Sequence, residues 1–256
     1  MPETYELSEL LKYVLETITK YQRAIVIPAE LGELVDTVNN ALDELAASGY
    51  ADTEEIPADV PDALFQYWDT VATAREGYRK EVEYYFSGKT VELSADDAIA
   101  TLTRWFDEVQ VGIARAFKIG SHGKDDDGNT GVPPGYFYYD VTSWTKTGKH
   151  NQKGLPLANP KSMKVATLPI FLEGAVRYMK IIRDDKEKMA EMYDAVKASP
   201  LRDTVLKMYL LNADLEDESY DIGRIRSFFP GWLENASIFM HMVSETGICG
   251  NVYALR

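Results

Sequence analysis

"LPIFLEGAVRYMKIIRDDKEKMAEMYDAVKAS", Leu168–Ser199, decides the fold. Its apolar residues recur at helical spacing from Leu168 to Ile182 and again from Asp184 to Ser199, with Asp185 placed as a cap or in the first turn. Two consecutive amphipathic helices joined by a few polar residues fold back on each other to bury their stripes, giving a helical hairpin. Upstream the same pattern returns. Leu7, Leu10, Leu11, Val14, Leu15, Ile18 and Tyr21 mark a helix over residues 5–26 with its exit at Pro28. Leu31, Leu34, Val35, Val38, Leu42 and Leu45 mark a second, stopped by Ser48-Gly49. A third spans about Pro61 to Phe86, and a fourth starts at Ser94 as N-cap with Asp96 and Asp97 in its first turn.

Between these helices the character changes. Lys118–Gly135 concentrates Gly, Asp and Pro and cannot continue a helix, and loops of such length are often functional. Tyr136–Trp144 is aromatic and β-branched, which predicts a strand or hairpin edge, followed by an irregular stretch through Pro160. Leu206–Trp232 reads as a short ordered segment, an acidic turn and a loop, before a helix beginning near Leu233. The expectation is an all-α chain, in the main, of about seven helices. Its paired antiparallel helices suit a partial (α/α)6 toroid with long loops and a minor β hairpin.

The charge balance narrows the function. Lys and Arg number 27 against 41 Asp and Glu, a net −14 that repels phosphate backbones and anionic membranes. No apolar run approaches a bilayer span, and Met1–Leu10 has no basic start or apolar middle, so the expected location is cytoplasmic. A single cysteine, Cys249, excludes an internal disulfide and a cysteine cage. His122, His150 and His241 lack metal-ligand spacing, and no metal site is predicted. A nucleophile elbow, a phosphate-binding Gly loop with Lys, a dinucleotide fingerprint and HExxH are all missing.

What remains is carboxylates, aromatics, Arg and Asn around loops, a set suited to sugars. Aromatic faces pack on sugar C–H groups, and forked polar side chains bind hydroxyls. Six candidates lie near the end of the chain: Glu216 in the acidic turn 215–219, Arg224 and Arg226, Trp232, Glu234 and Asn235. If 224–226 is extended, the alternation around Ile225 sends both guanidinium groups to one side. Glu234 or Asn235 would cap the helix beginning near Leu233. The seventh candidate is Glu173, a charge among Ile170, Phe171 and Leu172. Each also has a structural explanation: solvated turn, cap or packed tryptophan.

The stretches "MPETYELSELLKYVL", "GYFYYDVTSW", "LPIFLEGAVRYMK", "LKMYLLNADLEDES" and "IGRIRSFFPGWLENASIFMHM" together resemble the cellobiose phosphorylase-like family of carbohydrate-active enzymes. The resemblance implies an (α/α)6 barrel acting on β-linked glucosides with inversion. An Asp protonates the glycosidic oxygen while inorganic phosphate, a co-substrate and not a cofactor, attacks the anomeric carbon from the opposite face. In the family that Asp belongs to an Asp-Trp-Asn-type motif, and no such tripeptide occurs here. Residues 1–242 are therefore expected to form a partial barrel of the catalytic type, inactive alone. Residues 243–256, which lose apolar periodicity, are expected to be an atypical, frameshifted tail. The expected partners are an oligosaccharide or disaccharide, and a companion fragment or a second copy that covers the open helix face. Two alternatives stand beside this: a helical carbohydrate-binding or interaction protein without catalysis, and a complete enzyme using Glu173 or Glu216 as acid.

Overall fold

A computed structural model describes residues 1–50, 60–120, 131–133 and 135–238. The order is α1 (Pro2–Tyr21), β1 (Ile25–Pro28), α2 (Ala29–Ala47), α3 (Asp62–Glu81), β2 (Thr90–Leu93), α4 (Ala95–Gly120), β3 (Phe137–His150), β4 (Pro156–Thr167), α5 (Leu172–Ile181) and α6 (Lys186–Ala198). Two 3₁₀ turns follow, Tyr220–Ile222 and Arg224–Ser227. The protein is mainly helical, and among the described residues no helix is long and apolar enough to cross a membrane.

The chain divides into two compact units. One holds residues 1–9, 112–140 and 165 onward; the other holds 10–111 and 141–164. In the first, Leu172, Ala175, Val176 and Met179 form a buried stripe on α5 at helical spacing. Met189, Met192 and Val196 of α6 join the same core, with Val132 and Leu201. Each Leu, Val or Met among them, fully buried, contributes roughly 1.5–3 kcal/mol. Asp185 caps α6, its Oδ1 accepting the Lys188 N–H at 3.0 Å. Tyr178 brings α5 against the ring of Tyr5 at 5.6 Å and that of Phe117 at 4.6 Å.

In the second unit β1 and β2 pair antiparallel, with Ile25 opposite Leu93 and Pro28 opposite Thr90. The buried Glu30 of α2 accepts the Ser87 N–H at 2.7 Å, which fixes the turn leading into β2. Ser94 caps α4 by accepting the Asp97 N–H at 3.1 Å. Further along α4, Trp105 donates to Asn39 Oδ1 at 2.9 Å and Arg104 pairs with Asp43 at 2.9 Å, tying it to α2. β3 and β4 form a ribbon whose turn is held by Asn151, which accepts from the N–H groups of Lys153 and Leu155 at 2.9 Å.

Several expectations need correction. The first helix does not run to residue 26: Gln22 takes φ 48°, and the β-branched Ile25–Ile27 enters a strand. The third helix ends at Glu81, not Phe86. The stretch after Trp144 through Pro160 is not irregular but forms the end of β3, its turn and the start of β4, because each strand of a two-stranded ribbon is an edge and tolerates Pro156 and Pro160. Leu168–Phe171 stands outside the helix, with Phe171 extended, and α5 starts only at Leu172. No helix starts at Leu233, where positive φ at Leu233 and Ala236 and a bridge between Trp232 and Asn235 make a tight turn. Six α-helices are described where the periodicity predicts about seven. The tail 243–256, His122, His241 and Cys249 lie outside the described residues.

Candidate functional site

The first unit brings four distant segments together through backbone hydrogen bonds. The Leu168 N–H donates to Tyr136 O at 3.1 Å, Ala213 to Ile170 O at 2.9 Å, Leu172 to Leu211 O at 2.8 Å, and Leu211 to Ser237 O at 2.8 Å. Segment 168–172 thus lies against 211–213, which lies against the 232–237 turn. A buried pair of asparagines locks this join. Asn212 Nδ2 donates to Ala213 O at 2.7 Å and to Asn235 Oδ1 at 3.2 Å, while its Oδ1 accepts the Ala236 N–H at 3.0 Å. Asn235 Nδ2 donates to Phe228 O at 2.7 Å, and its own carbonyl accepts from Gly231 at 2.7 Å.

The predicted candidates divide between two places. Glu173 stands at the start of α5, half-buried. The other six lie on the 214–237 loops. Residues 224–227 form a 3₁₀ turn and are not extended, so the two arginines part. Arg224, exposed, pairs with Glu234 at 2.6 Å. Arg226 turns back to donate to the carbonyls of Glu216 and Glu218 and lies 4.8 Å from the Tyr220 ring. Arg226 therefore shapes the acidic turn, and the Glu216 side chain is exposed on it. Trp232 is 55% exposed with its ring edge-on to Phe228 at 5.5 Å, and the neighbouring Phe229 is 78% exposed. Asn235, at 2% exposure, serves the interior join, not the helix cap the sequence predicts.

Around Glu173 lies a network the sequence reading misses. The Tyr136 hydroxyl donates to Glu173 Oε2 at 2.6 Å, and Arg177 stands 3.7 Å from Oε1. Arg177 also donates to Glu6 at 2.6 Å, and Lys180 reaches the same oxygen at 3.0 Å. Hydrogen bonding from Arg177 and Lys180 holds the Glu6 carboxyl below its ordinary value against a smaller opposing effect of burial. Burial, then the bond to Glu173, pushes the Tyr136 phenol well above its ordinary value, so it stays a donor. Of these residues only Arg177 is foreshadowed by local spacing, four positions after Glu173 on a helix. Glu6 and Tyr136 come from far away in the chain and give no local signal.

Both oxygens of Glu173 are thus engaged internally, while Trp232, Phe229, Arg224, Glu234 and Glu216 face outward around one loop system. Flat aromatic surface beside a charge pair is a surface that can stack a sugar ring and bind its hydroxyls. Among the described residues no group of three or more His, Cys, Asp or Glu side chains converges to hold a metal ion. Comparison with protein families finds no family model that matches the chain, and comparison with curated proteins finds no match.

Proposed function

We propose that the chain is part of an inverting carbohydrate-active enzyme of the cellobiose phosphorylase-like kind, contributing part of an (α/α)6 toroid and a saccharide-contacting loop. One observation carries this reading. The segments bearing the resemblance are scattered from Met1 to beyond Trp232, yet parts of all five meet in one unit. Glu6 reaches Arg177, the Met1 amine donates to Gly135 O at 2.8 Å, and the ladder from Tyr136 through 168–172 and 211–213 ends at Ser237. In that unit Trp232 would stack the sugar, Arg224 and Glu234 would bind hydroxyls, and Glu216 would stand at the rim.

On this reading catalysis by inversion needs a positioned acid opposite the entering phosphate. The Asp-Trp-Asn-type motif that would supply it does not occur in the 256 residues. The chain alone binds and does not turn over. The exposed aromatics also support binding without catalysis, and the same experiment covers that reading. Saccharide binding is followed by ligand-observed NMR with cellobiose, alongside a phosphate-consumption assay. Binding that disappears in Trp232→Ala, with no turnover, is expected. Wild-type turnover that vanishes in Glu173→Gln or Glu216→Gln would instead establish a complete enzyme, and absence of binding would sink the proposal.

A further inference from the structure

The β3–β4 ribbon is charged against the grain of the protein. From Val141 to Lys164 the sequence holds five lysines, Lys146, Lys149, Lys153, Lys161 and Lys164, and no Asp or Glu, in a chain whose net charge is −14. All five are exposed, and none pairs with a carboxylate among the described residues. Trp144 at 60% exposure and Leu155 at 59% lie on the same ribbon. A two-stranded ribbon is marginal by itself. The Val60 N–H donates to Met163 O at 2.9 Å and ties β4 to the chain, while most of β3 and the 151–155 turn stay exposed and offer an open edge, the character of an arm.

The same chain carries a surface of opposite sign. From Met208 to Gly223 there are five acids, Asp214, Glu216, Asp217, Glu218 and Asp221, and no Lys or Arg. None of these carboxylates is in an ion pair among the described residues. Arg226, on the carbonyls of Glu216 and Glu218, offsets one of the five charges, and Tyr220 is 68% exposed. Lysines and carboxylates that form no ion pairs among the described residues, an excess of each sign in its own segment, make a self-complementary pair. A second copy can supply the opposite charge, its turn taking the arm of the first. A polyanion would meet the repulsion of the remaining chain, which is more acidic still. We propose that the β3–β4 ribbon is a docking arm for the acidic 214–221 turn of a second copy of this chain. The inference rests on charge and exposure, and is independent of the carbohydrate reading.

Sedimentation velocity of the full chain tests it. A dimer is expected at roughly 50 mM salt and a monomer at roughly 500 mM, because exposed charge pairs are screened. The triple variant Lys146→Glu, Lys149→Glu, Lys153→Glu is expected to be monomeric at low salt, and so is Asp214→Lys, Asp217→Lys, Asp221→Lys. Mixing the two variants is expected to restore a dimer, since each reversed arm then meets a reversed turn. Circular dichroism checks that both are folded, and the wild-type salt series decides the matter if either is not. A monomer at low salt overturns the proposal, including one whose ribbon is retained on a heparin column. A dimer indifferent to salt and to charge reversal does so too.

Discussion

Replacing Asn235 by Ala separates a structural from a ligand-binding role for this residue. The side chain is 2% exposed, donates to Phe228 O at 2.7 Å and accepts from Asn212 at 3.2 Å. Its removal leaves the Phe228 carbonyl without that donor and one Asn212 N–H without that acceptor. A buried polar group left unpaired costs about 1–3 kcal/mol. Asn212 keeps its bonds to Ala213 O and from Ala236 N–H, so its share falls at the low end. A total of about 2–4 kcal/mol follows. Urea unfolding followed by far-ultraviolet circular dichroism measures this directly; thermal melting should fall by about 2–4 °C for each kcal/mol. Asn235→Asp keeps the acceptor but turns a carboxylate toward the Phe228 carbonyl. It should therefore be at least as damaging at neutral pH and recover in part on acidification, when the carboxyl can donate. Trp232→Ala, at an exposed position, should cost only about 1 kcal/mol, from the lost edge-on contact with Phe228. The reasoning is refuted if Asn235→Ala unfolds with the wild type while saccharide binding is lost.

Two further outcomes follow from other parts of the molecule. A methyl group at Gly32 would stand 2.7 Å from Val91 Cγ2, so Gly32→Ala sets about 1–3 kcal/mol of overpacking against up to about 1 kcal/mol of helix propensity. It should destabilise by about 1 kcal/mol. Val91→Ala in the same background should reverse the sign, as a double-mutant cycle in urea would show. The second concerns acid. The carboxyls of Glu6, bonded by Arg177, and Asp185, bonded by the Lys188 N–H, have lowered values in the folded chain. The stability they contribute is therefore present above the ordinary carboxyl range and lost as pH falls through the folded values. Melting temperature should fall on acidification, and Glu6→Gln with Asp185→Asn should flatten that slope; an unchanged slope would remove both groups from the account.

Helices were legible where the signal is local. The 3.6-residue period marked all six, and Ser94 and Asp185 announced their caps because a short polar side chain three residues before an N–H needs no distant partner. Strands were less so. Ile25–Pro28 continues the apolar phase of α1, and only its pairing with Thr90–Leu93, far along the chain, makes it a strand. The stretch holding Pro156 and Pro160 reads as irregular, yet the rule against proline holds for central strands and lapses in a ribbon with no centre. The turn at Leu233 escaped for a backbone reason: left-handed φ at Leu233 and Ala236 carries no sequence mark when the residue is neither Gly nor Asn.

Residue type located the candidate loop but could not assign its members to roles. Arg224 and Arg226 are chemically alike and two positions apart, yet one faces a carboxylate in the open and the other holds the carbonyls of Glu216 and Glu218. Asn235 and Glu234 are adjacent, yet one is interior and the other pairs at the surface. The difference lies in which polar groups the fold leaves unsatisfied: Asn212 and Phe228 set it for Asn235, and the 214–218 turn sets it for Arg226, each partner at least 7 positions away. The two roles also depend on each other. A loop presents Trp232 in a fixed orientation only if buried side chains hold its backbone. Ligand affinity depends on that pre-organisation, because ordering a mobile loop on binding opposes it. The inward-turned Arg226, Asn212 and Asn235 are thus what would let the outward-turned Trp232, Arg224, Glu234 and Glu216 act as a site. Damage to the first set should reach ligand binding through stability, and damage to the second should reach it directly.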